Sequence, residues 1–124
     1  RISKKVEVMS SGEESDAELG SMIMPENCQK VKEHIAEIND RASIISGEST
    51  NENVYIAPTL VIDPPKDARI VNEETFGPVI SIRPFSGGQD LLDKIHRTGY
   101  GLAGSIFGRN KNTLCSRVKG SFRW

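Results

Sequence analysis

The chain has 124 residues, a formal net charge of -1, 36% hydrophobic residues and a mean hydropathy of -0.39. This is one domain's worth of chain, and it is read as a single domain over residues 1–124. The near-neutral charge argues against non-specific binding to nucleic acid or to a membrane surface, and no apolar run approaches the roughly 18 residues of a membrane span.

Residues 1–20 hold no apolar core of the kind a signal peptide needs, so a cytoplasmic location is expected. The hydrophobic fraction is low for a compact α/β domain. It predicts some surface that wants a partner, or some loosely ordered segments.

Along the chain, Ile2, Val6 and Val8 punctuate a charged start, and the Val6/Val8 alternation predicts a short strand. Ser10 to Glu18 is polar and acidic and reads as a loop. Pro25 opens the first helix, since its missing N–H costs nothing in a first turn. Cys28, Val31, Ile35, Ile38 and Ala42 recur at steps of three and four, one stripe of a surface helix packed on a sheet. Asn39-Asp40 ends it.

Ala42 to Ser46, centred on Ile44-Ile45, predicts a strand that stops at Gly47. Val54 to Ile62 is the longest β-rich segment, closed by Asp63-Pro64-Pro65, because two prolines cannot stay in a ladder. Ile70-Val71 is expected to anchor the following bridge to the core. Val79 to Phe85 predicts another strand, and Ser86 is a candidate N-cap for a second main helix. Asp90 suits the first turn of that helix, Leu91, Leu92 and Ile95 its buried face, and Gly99 its end.

Leu102 to Phe107 predicts a small-residue strand. Asn110 then caps a third helix with Leu114, Cys115 and Val118 inward, and Gly120 stops it. Strands alternate with helices throughout. The predicted class is α/β, a partly parallel sheet flanked by helices.

Cys28 and Cys115 read as reduced thiols on helix faces, with nothing in their spacing to support a disulfide. No Cys/His spacing resembles a metal site. His34 and His96 read as helix-surface histidines.

The chain is organised around Asn72-Glu73-Glu74-Thr75-Phe76-Gly77-Pro78-Val79-Ile80. Two acids precede an aromatic ring, then a Gly-Pro break, then an apolar run. Gly77 is free in its backbone angles and Pro78 fixes its own φ. The pair predicts a tight corner with Glu74 and Phe76 on its inner side. A carboxylate and a flat ring two residues apart would suit a ribose hydroxyl pair and a planar heterocycle. The same residues would also make a structural turn with a core Phe and two solvated acids.

Glu73-Glu74-x-Phe76-Gly77-Pro78-Val79 resembles the cofactor-contact motif of the NAD(P)-dependent aldehyde dehydrogenases. Tyr55-Ile56-Ala57-Pro58-Thr59-Leu60 resembles that family's aromatic-x-x-Pro-Thr-Leu strand. Tyr100-Gly101-Leu102-Ala103-Gly104-Ser105-Ile106-Phe107 resembles its Tyr-Gly-Leu-Ala-x-x-Phe strand. The three blocks keep the family's order, and the resemblance spans residues 5–122. One departure is Gly20-Ser21, where the family's acidic loop ends in Gly-Pro.

The resemblance implies part of a catalytic domain that oxidises an aldehyde to a carboxylic acid. In such enzymes a cysteine thiolate attacks the carbonyl, hydride passes to the nicotinamide, and a glutamate base helps water hydrolyse the thioester. An asparagine side chain and a backbone N–H hold the oxyanion. Those groups and the dinucleotide-binding domain belong to the family upstream of the matching region, so no catalytic residue is assigned here.

What carries over is the corner. Glu74 matches the glutamate that holds the nicotinamide ribose, and Phe76 matches the aromatic beside the nicotinamide ring. The implied cofactor is NAD or NADP, with weak or no binding by this chain alone. The implied partner is a small-molecule aldehyde. Strand edges left without neighbours would allow self-association. Two other readings stay open: a non-catalytic module that keeps the fold for interaction, and a small thiol enzyme built on Cys115 and His96.

Overall fold

The computed structural model describes residues 1–50, 54–97, 103, 105 and 107–109. Backbone packing groups the chain into two compact units, Arg1–Pro84 and Phe85–Trp124. The first holds helix α1 (Ile2–Glu7), strand β1 (Ser10–Ser11), helix α2 (Pro25–Ile38), strands β2 (Ser43–Ser46), β3 (Glu48–Ser49) and β4 (Thr59–Ile62), the single turn α3 (Arg69–Asn72) and strand β5 (Val79–Ile82). Helix α4 (Gly88–His96) belongs to the second.

The main sheet runs β2-β4-β5. Strand β2 is antiparallel to β4, with Ser46 opposite Thr59, and β5 is parallel to it, with Thr59 opposite Val79. A second, two-stranded parallel sheet joins β1 to β3. The predicted α/β class with partial parallel pairing is therefore what the chain forms.

Strand β4 is central because Thr59, Leu60 and Val61 are all buried, as expected of a strand covered on both faces. Val61 packs with Ile38, Ala68 and Ile70, and Val71, Val79 and Ile44 close around them. Ile70-Val71 thus anchors the bridge as expected. A neighbouring cluster joins Cys28 and Val31 of α2 to Ile56. Helix α1 contacts β2 and β4.

Helix α2 follows its stripe. Pro25 is its first residue, Cys28, Val31 and Ile38 are buried, and Ile35 is half-buried. Cys28 is therefore a packing residue, with no disulfide partner among the described residues.

Several expectations need correction. The first residues form a helix, not a strand: Val6 is buried while Val8 is 78% exposed. Ile2 and Val6 stand one helical turn apart, so the same residues satisfy the helical period, and Lys4 and Lys5 favour the helix C-terminus. Residues 10–18 are not wholly loop, since Ser10-Ser11 pairs with β3.

The segment from Val54 enters the sheet only at Thr59. Pro58 has no N–H to give, and its carbonyl accepts from Gly47 N at 2.9 Å. Strand β5 stops at Ile82, two residues before Pro84, and leaves Phe85 outside the ladder and exposed.

Helix α4 begins after Gly87, not Ser86. Its cap is the reverse of the expected one: Asp90 Oδ2 accepts from Ser86 N at 2.8 Å. Its apolar face leaves Leu91 and Leu92 half-buried and Ile95 exposed. The third helix with Cys115, Gly99, and the strand residues Leu102, Gly104 and Ile106 lie outside the described residues.

Candidate nicotinamide-contact corner

The corner begins where α3 ends. Glu73 N still donates to Arg69 O at 2.7 Å, but Glu73 itself is extended at φ -116° and ψ 155°. Asn72 secures the turn beneath, with Nδ2 donating to Ala68 O at 2.8 Å and Lys66 O at 3.0 Å. At the other end Val79 N donates to Gly77 O at 2.8 Å, a three-residue turn centred on Pro78, whose fixed φ suits it. Pro78 O then accepts from Thr59 N at 2.9 Å and starts the β4–β5 ladder. A helix turn on one side and a parallel ladder on the other thus fix residues 73–78.

Gly77 is required for space. Its φ lies outside the left-handed region, and a Cβ there would come 2.6 Å from Cγ2 of Val31. Helix α2 sits directly against the corner backbone. The expectation that Gly77 supplies an unusual backbone angle is replaced by this close approach.

The two acids have different roles. Glu73 faces three cations or potential cations: Arg69 Nε at 3.1 Å, His34 Nε2 at 3.5 Å and Lys30 Nζ at 3.7 Å. Arg69 also reaches Glu33 at 3.5 Å. The hydrogen bond from Arg69 holds the Glu73 carboxyl below its ordinary range. Glu74 is exposed, and its carboxylate has no hydrogen bond or ion pair among the described residues. Its backbone carbonyl accepts from Lys30 Nζ at 3.0 Å.

Thr75 turns inward, half-buried, and its Oγ1 lies 2.8 Å from His34 Nδ1. Phe76 follows and is 61% exposed. The corner therefore does not enclose Glu74 and Phe76. It presents both to solvent and turns the half-buried Thr75 between them inward.

His34 corrects a second expectation. It is fully buried, not a surface histidine. Its position three residues after Val31 and four before Ile38 puts it inside the apolar stripe, and that spacing was the signal available in the sequence. Burial pushes its pKa down, with Arg69 and Lys30 adding to the effect and Glu73 and Glu37 opposing it. His96 lies exposed on α4.

An ionised carboxylate offers only acceptors, and two adjacent hydroxyls offer the matching donors. Among the described residues Glu74 has that capacity uncommitted, and the Phe76 ring lies open two residues further on. Among the described residues no group of His, Cys, Asp or Glu side chains could hold a metal ion, and no helix is long and apolar enough to cross a membrane.

The sequence matches the aldehyde dehydrogenase family over residues 1–120. It is similar to the NADP(+) succinate-semialdehyde dehydrogenase 2 of Schizosaccharomyces pombe, with 28% identity over 96% of this chain and 25% of that one. It is likewise similar to the lactaldehyde dehydrogenase of Escherichia coli, with 30% identity over 87% of this chain and 23% of that one. The crystal structure of the Escherichia coli lactaldehyde dehydrogenase superposes with a TM-score of 0.82 at 25% identity, over 98% of this chain and 27% of that one. The chain spans about a quarter of the length of the curated relatives it matches. The chain belongs to the aldehyde dehydrogenase family.

Proposed function

We propose that this chain is the C-terminal portion of the catalytic domain of an oxidoreductase that converts an aldehyde to a carboxylic acid with NAD or NADP. Its own contribution is the corner that holds the nicotinamide ribose. Glu74 accepts from the ribose hydroxyls and so sets the orientation of the ring, and Phe76 lies beside that ring. Bound there, the nicotinamide supplies the hydride acceptor for aldehyde oxidation. Glu73 takes no part in binding, because Arg69, Lys30 and His34 already surround it.

One observation carries this reading. Of two adjacent acids, the one whose carboxylate has no partner among the described residues stands two residues from an exposed aromatic ring. A corner that served packing alone would bury Phe76 in the core.

The nucleophile, the glutamate base and the oxyanion asparagine of the reaction are proposed to lie outside these 124 residues. Cys28 is buried in the core and fills a structural place. The chain alone is therefore proposed to be inactive and to bind the cofactor weakly or not at all, since it supplies one edge of the site. The relatives' names include succinate semialdehyde, lactaldehyde and betaine aldehyde, so the proposal stays with aldehydes as a class. The cytoplasmic location expected from the sequence remains part of it.

Calorimetry with NAD and NADP tests the binding claim, and micromolar or tighter binding by this chain would refute it. The contact itself is read by titrating the ¹⁵N-labelled chain with millimolar oxidised nicotinamide mononucleotide. Shifts confined to residues 73–78 support the reading. Shifts elsewhere with none at the corner reject it.

A further inference from the structure

Two side chains of α2, one helical turn apart, grip consecutive residues of the corner. Lys30 Nζ donates to the Glu74 carbonyl at 3.0 Å, and His34 Nδ1 lies 2.8 Å from the Thr75 hydroxyl. Lys30 is partly exposed and its bond competes with water. His34 is fully buried, and its hydrogen bond is shielded. Thr75 stands between the two residues assigned to the nicotinamide nucleotide. Whatever fixes Thr75 therefore fixes the directions in which Glu74 and Phe76 project.

The imidazole has two nitrogens and one question. Nε2 is buried and makes no hydrogen bond among the described residues, but it faces the Glu73 carboxylate at 3.5 Å. A lone pair turned toward that carboxylate would be repelled, whereas an N–H would be attracted. Nδ1 is then left as an acceptor, and the Thr75 hydroxyl is its donor. Glu73 thus has a second use: it selects the tautomer that lets Thr75 donate.

We propose that His34 is a positioning residue for the nicotinamide contact, its Nδ1 accepting from Thr75 while its Nε2–H faces Glu73, so that the Glu73–His34–Thr75 relay aims Glu74 and Phe76 outward. The functional part of this inference rests on the cofactor reading above. The relay itself rests on the geometry alone.

The test uses the full 124-residue chain. Thr75→Val keeps the shape and removes the hydroxyl, and Thr75→Ser restores it. In Thr75→Val the amide resonances of Glu74, Phe76 and Gly77 are expected to move and their hydrogen exchange to quicken, while Ile44 and Val61 in the sheet stay as they were. Thr75→Ser is expected to return the corner amides toward their original positions. In the binding arm, Thr75→Val is expected to weaken the response of the corner to nicotinamide mononucleotide by roughly two- to tenfold, the factor a single hydrogen bond's net worth implies.

Unchanged corner amides in Thr75→Val would overturn the relay, as would changes of equal size in the sheet. A wild-type chain in which the nucleotide shifts amides elsewhere and none at the corner would remove the cofactor reading and leave the relay standing on the amide data. The wild type also gives a measurement that needs no variant. The ¹⁵N imidazole spectrum at pH 7 is expected to show His34 as the Nε2–H tautomer, and an Nδ1–H or doubly protonated ring would overturn the proposal.

Discussion

The Cβ that Gly77 lacks would lie 2.6 Å from Cγ2 of Val31, so the Val31 side chain of helix α2 packs directly on the corner backbone. Val31 is fully buried and β-branched, and it has little freedom to retreat. Gly77→Ala is expected to destabilise the chain by about 1–3 kcal/mol, the usual range for overpacking a filled site. Adding Val31→Ala should recover part of that loss relative to Val31→Ala alone. Urea midpoints of the single and double variants measure the coupling. Strict additivity would place the cost of Gly77→Ala somewhere other than this contact.

The adjacent acids should separate cleanly. Glu74→Gln is expected to leave the urea midpoint where it is, because the carboxylate is exposed and has no partner among the described residues. It should abolish the corner's response to nicotinamide mononucleotide. Glu73→Gln is expected to lower the midpoint, through its lost ion pairs, and to leave a nucleotide response that is weakened through the His34–Thr75 relay but not abolished. The same NMR titration and denaturation curves read both, and an exchange of the two phenotypes would move the contact to Glu73.

His34 predicts a pH dependence of stability. Its folded pKa lies below the ordinary 6.5, chiefly through burial. Below pH 6.5 the unfolded chain takes up a proton that the folded chain refuses, so stability falls as pH drops through the folded value and levels off beneath it. The charged groups around the ring are Lys30 and Glu37 from α2, Arg69 from α3, and Glu73. Glu73, Glu33 and Glu18 have folded pKa values below 4.5, which adds a separate decline at more acid pH. Thermal midpoints at pH 7.5, 6.5 and 5.5 should trace the first decline. In His34→Leu the midpoint should be lower at pH 7.5 but flat across that interval.

Strand β5 pairs with β4, and no strand on its other side is assigned among the described residues. It carries Ile80, 58% exposed, and the exposed Ile82. An apolar edge of this kind is a template for a second copy. The chain is expected to self-associate with rising concentration, and Ile80→Lys should shift it toward monomer in light scattering after size exclusion. A concentration-independent monomer in the unaltered chain would contradict this expectation.

How far the sequence was legible depended on the length of its patterns. Helix α2 was readable because its stripe repeats over 14 residues and starts at a proline. The opening helix was not, because Ile2, Val6 and Val8 are too few to separate the two periods. The corner's position was plain from Gly77-Pro78, yet its physical reason was not. Whether a glycine serves an angle or a close approach depends on Val31, which is remote in sequence. His34 was misjudged by residue type, although its spacing already placed it with Val31 and Ile38. The relay to Thr75 could not have been found, since side chains forty-one positions apart meet only once the sheet has formed.

Strand β4 takes both of its neighbours from nearby chain, Ser43–Ser46 on one side and Val79–Ile82 on the other. The entropy cost of closing a connection grows only slowly with its length, so both pairings are within reach of this one stretch. The sheet can therefore nucleate on the nascent polypeptide from this stretch alone. The corner at residues 73–78 leads directly into β5, so its backbone would take shape together with the sheet.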